Sequence, residues 1–119
     1  MPKQNSQEND CIDYIEMNVT DIGRAKQFYG TVFGWTFTDY GENYCEFNDG
    51  RMKGGFEKSD HVTTGGPLIV LYHADLEAVL QRVKASNGII SREIFQFPGG
   101  ERFQFQDPEG YELAVWRYT

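Results

Sequence analysis

Between Tyr14 and Val19 apolar and polar residues alternate, with Ile15, Met17 and Val19 on one side and Tyr14, Glu16 and Asn18 on the other. A period of two predicts a strand over residues 12–19 with two chemically different faces. Asp21 then precedes Ile22, Ala25, Phe28, Tyr29, Val32 and Phe33, a helical spacing of apolar positions opened by a capping side chain and closed by Gly34 just past its end. This predicts a helix of about three turns. Residues 35–38, 44–47 and 52–56 are β-prone, and the turn-forming runs Tyr40-Gly41-Glu42-Asn43 and Asn48-Asp49-Gly50 separate them. A strand, a helix and three meandering strands make one unit.

After a polar, glycine-containing stretch over residues 58–66, Pro67 opens a second pass in the same order. Residues 68–72 read as a strand. Asp75 caps a helix with Leu76, Val79, Leu80 and Val83 on one face, which Gly88 is expected to end after Ser86 and Asn87. Strands follow at 89–95, 101–106 and 111–117, the last after the turn Asp107-Pro108-Glu109-Gly110. A constant offset of 54 residues carries Ile15 onto Ile69, Asp21 onto Asp75, Ile22 onto Leu76 and Gly34 onto Gly88. Internal repetition at one spacing predicts an α+β fold of two tandem β-α-β-β-β modules with pseudo-twofold symmetry. The first module spans about 12–57 and the second about 67–117, within one domain at 11–119; residues 1–10, which carry no apolar anchor beyond Met1 and Pro2, are expected to form a flexible arm.

Each sheet should turn its apolar face to its own helix. The other face, carrying Tyr14, Glu16, Asn18, Leu68, Val70, Tyr72, Glu112, Ala114 and Trp116, is then free to line a concave cleft. Aromatic residues make up 15% of the chain, enough to supply both a core and a pocket wall. The formal charge of −7 argues against nucleic acid and favours a cationic ligand. No apolar stretch is long enough to span a bilayer, and the polar N-terminal run lacks the hydrophobic segment of a secretory signal, so no membrane partner and a cytoplasmic location are expected. Cys11 and Cys45 have neither CxxC nor paired-histidine spacing and read as reduced, passive thiols.

The runs IEMNVTDIGRAKQFYGTVFGW, from Ile15 to Trp35, and FQDPEGYELAVW, from Phe105 to Trp116, resemble the opening and closing signatures of the vicinal oxygen chelate superfamily, which joins glyoxalases, bleomycin-resistance proteins and extradiol dioxygenases. The resemblance covers nearly everything after the N-terminal arm and implies the fold just described. The scaffold serves isomerases, lyases, dioxygenases and metal-free drug binders alike, so it does not by itself fix a function. In the metal-dependent members it implies a divalent ion held by a His early in the first strand, a ligand on the fourth, a His early in the fifth and a Glu on the last. Carried over, these positions fall on Tyr14, on Gly54 or Gly55, on Leu68 and on Ala114. None is a good ligand except, marginally, the tyrosine. His61 falls in the loop between modules and His73 has the parity of Ile69 and Leu71, so no metal and no cofactor are expected.

Ligand-binding candidates are therefore Tyr14, Glu16, Asn18, Leu68, Tyr72, Glu112, Ala114 and Trp116. Glu16 is the catalytic candidate: set among rings, its carboxylate would act as a general base or as the counter-charge of a bound cation. Tyr14, Tyr72 and Trp116 would offer a stacking surface to a flat or cationic ligand, or equally fill space between modules. Trp35, Phe103 and Phe105 read as core. No phosphate loop or nucleophilic triad can be assembled. The leading expectation is a metal-independent binder of a cationic or aromatic small molecule, with an acidic, aromatic-lined cleft. As the resemblance implies, it would be completed in a homodimer. The alternatives are a lyase, isomerase or dioxygenase-related enzyme with atypical metal ligands or with Glu16 as base, and an accessory domain without a ligand.

Overall fold

The computed structural model describes residues 9–119, so most of the expected N-terminal arm lies outside the described residues. Ten elements follow in order: β1 (Tyr14–Val19), α1 (Ile22–Phe33), β2 (Thr36–Asp39), β3 (Tyr44–Asn48), β4 (Lys53–Lys58), β5 (Ile69–Tyr72), α2 (Leu76–Ala85), β6 (Ile89–Phe97), β7 (Gly100–Gln106) and β8 (Glu112–Tyr118). They form two four-stranded sheets of the same plan, ordered β1-β4-β3-β2 and β5-β8-β7-β6. In each, the first strand runs parallel to the last and the remaining pairs are antiparallel. The α+β repeat read from the sequence is the fold. No described helix is long and apolar enough to cross a membrane.

Both helices begin as anticipated: the Asp21 carboxylate accepts from the Arg24 amide and that of Asp75 from the Ala78 amide. Their ends differ. Gly34 takes the left-handed conformation after α1 (φ 72°), but after α2 that position belongs to Asn87 (φ 70°), not to Gly88. Asparagine tolerates this region because its short polar side chain bonds locally. Gly88 serves close packing instead, since a Cβ there would press on Val83 Cγ1 at 2.5 Å and Phe28 Cε1 at 3.1 Å.

One continuous core joins the modules. Met17 and Val19 from β1 and Leu113 and Val115 from β8 turn inward to Ala25, Phe28, Tyr29 and Val32 of α1 and Leu76, Val79 and Val83 of α2. Trp35 stacks between Tyr29 and Phe47, with ring centroids 4.5 and 4.6 Å away. Phe103 and Phe105 are buried, as their alternation with polar neighbours required.

Polar clamps cross the module boundary at the turn before β8. Glu109 accepts from the Thr20 and Asp21 amides at 2.8 and 3.2 Å and pairs with Arg24 at 2.9 Å, placing a carboxylate at the start of α1 where the helix dipole favours it. Buried Asp107 accepts the Tyr29 hydroxyl at 2.7 Å and the Glu109 and Tyr111 amides at 3.0 Å each. Burial raises the Asp107 pKa above the ordinary carboxylate value, and these bonds only partly oppose it. The stability this group contributes is therefore full below the unfolded aspartate pKa and is lost as pH rises through its higher folded value. Tyr29→Phe removes the phenol that supports the ionised form, so it should cost about 1–3 kcal/mol at pH 7 and less near pH 4, where a larger share of Asp107 carries a proton. Urea unfolding at the two pH values measures this, and an equal or larger loss at pH 4 would contradict it.

Candidate functional site

With Ile15, Met17 and Val19 committed to the helical side, β1 presents Tyr14, Glu16 and Asn18 on the helix-free face of the first sheet. Register places Gly55 of β4 beside Glu16 and opposite Glu46 of β3. The missing side chain at Gly55 lets the Tyr44 phenol swing over β4, because a Cβ there would collide with the Tyr44 hydroxyl. The Tyr44 and Tyr14 hydroxyls lie 2.6 Å apart, and Tyr44 donates to Glu16 Oε1 at 2.9 Å. Burial, followed by its bonds to Tyr14 and Glu16, raises the Tyr44 pKa, so this phenol remains a proton-bearing donor at neutral pH. Glu16 itself is exposed and held by a phenol, not enclosed by rings as its strand position suggested.

The second sheet has a different character. Glu112 accepts from Ser91 Oγ at 2.7 Å and Gln104 Nε2 at 3.0 Å, and these bonds hold its carboxyl below the ordinary range. Ala114 is fully buried. Trp116 meets Tyr72, Tyr118 and Phe97 at centroid distances of 5.5, 4.5 and 6.2 Å. The aromatic surface therefore keeps Tyr72 and Trp116 but not Tyr14, whose hydroxyl is bonded to Tyr44 on the other sheet.

A groove of 710 Å³ lies at the seam between residues 15–18 of β1 and the first residues of β5 and β8, with residues 63–67 also lining it. Glu16, Asn18, Leu68 and Glu112 line it together with Ile12 and Tyr111. Tyr14, Tyr72, Ala114 and Trp116 do not, so the anticipated site residues divide between the seam and the two sheet faces. The Tyr111 hydroxyl donates to the Asn18 carbonyl at 2.9 Å and ties the walls together.

A family model, described as the Glyoxalase/Bleomycin resistance protein/Dioxygenase superfamily, matches residues 11–115. The chain belongs to this superfamily. A curated relative named "Putative glyoxylase CFP32", from Mycobacterium tuberculosis, is 23% identical over 98% of this chain, which spans 49% of that protein's length. Solved superfamily structures share the fold. An enzyme of the glyoxalase/bleomycin resistance protein/dioxygenase family from Burkholderia phytofirmans aligns with a TM-score of 0.81 at 15% identity, over 91% of this chain and all of that one. The fosfomycin resistance protein FosX from Mesorhizobium loti aligns with a TM-score of 0.78 at 16% identity, over 92% and 93% of the two chains.

The divalent ion associated with metal-dependent superfamily members finds no matching ligand set here. Its four positions hold Tyr14, Gly54 or Gly55, Leu68 and Ala114, which offer a single phenol oxygen and no imidazole or carboxylate. At Gly55 the space is taken by Tyr44. Among the described residues no three His, Cys, Asp or Glu side chains come together as a metal site. His61 is exposed in the loop between modules, while His73 Nδ1 accepts from the Asp75 amide at 2.9 Å at the start of α2. Cys45 is buried on the helical side, where burial pushes its thiol up to about 11. Sequence reasoning missed Tyr44; the signal that could have found it is its alternation with Cys45 and Phe47, whose burial leaves Tyr44 on the opposite, helix-free face.

Proposed function

We propose that this chain is a metal-independent small-molecule-binding protein. Its ligand would lie across the helix-free faces, with a hydrogen-bond donor or cationic group turned to Glu16 and a flat ring turned to Tyr72 and Trp116. The observation that carries this reading is the Tyr14–Tyr44–Glu16 set built over Gly55: a hydrogen-bonded recognition group stands where metal-dependent relatives would need a ligand. Of the groups named here Glu16 also lines the 710 Å³ seam groove, which has room for the part of a ligand that reaches this carboxylate. Leu68, Val70 and Tyr72 along the β5 edge are exposed at 36%, 43% and 52%, an apolar strip that supports a homodimer in which a second copy covers each face.

Protein purified without chelator should contain no stoichiometric Ni²⁺, Zn²⁺, Mn²⁺ or Fe²⁺ by elemental analysis, and adding these ions should leave its melting temperature unchanged. A bound equivalent would return the chain to the metal-dependent enzymes. Glu16→Gln should keep the fold but weaken cationic aromatic ligands about fivefold, as expected of an exposed charge pair worth up to ~1 kcal/mol. Equal affinity for both proteins in calorimetric titration would remove Glu16 from the site.

A further inference from the structure

In a chain of net charge −7, the helix-free face of the second sheet carries two arginines that form no ion pair among the described residues. The inward burial of Phe103 and Phe105 sends Arg102 to the open side of β7, where it pairs in register with Trp116 on β8 and Phe95 on β6. A register shift between Arg92 and Phe95 brings both onto that same face. The Arg92 guanidinium carbon lies 3.5 Å from the Phe95 ring centroid, and that of Arg102 lies 5.3 Å from Phe95 and 5.9 Å from Phe97. Among the described residues neither arginine forms an ion pair. Arg102 Nε is shielded from solvent and has no hydrogen-bond partner.

Three neighbouring acids are engaged elsewhere, while Glu93, next to Arg92 on β6, is exposed and forms no ion pair with either arginine among the described residues. Glu101 and Glu77 both bond Arg117, and Glu112, on the same face as the arginines, is held by Ser91 and Gln104. Two like charges stacked on one phenylalanine repel each other, and a buried N–H without an acceptor is costly. An anion placed between the guanidiniums relieves the repulsion, because the terminal N–H groups of a planar guanidinium offer paired donors to a carboxylate or phosphate. The adjoining Trp116, Tyr72, Tyr118 and Phe97 rings provide a surface for an aromatic body attached to it.

We infer that the helix-free face of β5–β8 is a binding site for an aromatic anion, whose carboxylate or phosphate sits between Arg92 and Arg102 while its ring lies on Trp116 and Tyr72. This rests on the small-molecule reading above and adds to it a ligand class: an aromatic molecule with an acidic group, which also carries a donor where it reaches Glu16.

The test is calorimetric titration of the full chain with three probes of one shape, 2-naphthoate, 2-naphthamide and (2-naphthyl)methylammonium, against the wild type, Arg102→Gln, Arg92→Gln and Glu16→Gln, each checked for fold by circular dichroism. Naphthoate should bind about tenfold tighter than the neutral amide, the usual margin of a charge-assisted over a neutral hydrogen bond. That margin should shrink with added salt and vanish in Arg102→Gln. The exposed Arg92→Gln gives the same reading should the Arg102 substitution perturb the strand. Naphthoate affinity unchanged in both arginine variants would overturn the inference. So would preferred binding of the ammonium probe with a loss in Glu16→Gln, an outcome that leaves the proposed function standing. Binding of none of the three would reject both.

Discussion

Phe105→Ala should destabilise the protein by about 3–5 kcal/mol, the range for removing a fully buried phenylalanine and leaving a cavity. Phe105 has no exposed surface, and its ring lies 6.0 Å from Phe28 and 5.9 Å from Phe33, both on α1, and 6.1 Å from Phe103 beside it on β7. It is thus a second-module side chain whose main aromatic neighbours belong to the first. The space it leaves cannot close without moving α1 against the second sheet, so little of the cavity term is recovered. Urea unfolding followed by far-ultraviolet dichroism should show the midpoint fall with the transition still single. A loss under about 1 kcal/mol would mean that the modules do not share the core described above.

The repeat was legible because each module is locally consistent. Alternation in β1, the caps Asp21 and Asp75 and the inward stripes of α1 and α2 each demand the same arrangement, and two copies at one offset leave little freedom. Gly34 and Gly88 show where the copying stops. Both end their units in sequence, but only Gly34 needs the left-handed conformation, since the contact between Gly88 and Phe28 belongs to the packing of one module on the other. Side-chain parity likewise told which face Tyr14, Glu16, Tyr72 and Trp116 would occupy, but not which of them meet. Tyr14 and Trp116 share a helix-free side in pattern yet stand on separate sheets, and contact across strands depends on register. Tyr44 reaches Glu16 only because β4, lying between their strands, has a glycine where the phenol crosses. The Arg92 placement depends on an irregularity in β6 pairing that no period of two reveals.

The adjacent glycines of β4 separate the structural demand on this strand from the functional one. At Gly54 an added Cβ would run into the Ile15 carbonyl and the Phe47 ring. The carbonyl is fixed in the parallel β1–β4 ladder, and Phe47 is itself locked between Trp35 and Phe56. Neither can yield cheaply, so Gly54→Ala should cost about 3 kcal/mol, at the upper end for an overpacked core. At Gly55 the obstruction is the outer end of Tyr44 with the Tyr14 hydroxyl at 2.7 Å, and these are side-chain tips on a half-open face that can rotate away. Gly55→Ala should therefore cost about 1 kcal/mol or less in stability, because the core beneath is untouched. Its larger effect should fall on ligand binding, since the displaced phenol no longer bonds Glu16. Denaturant melts and ligand titrations of the two variants side by side read the contrast. If Gly55→Ala proved the more damaging to stability, or if Gly54→Ala were tolerated, β4 would not carry the register that places Tyr44 over Gly55, and the recognition group would lose its basis.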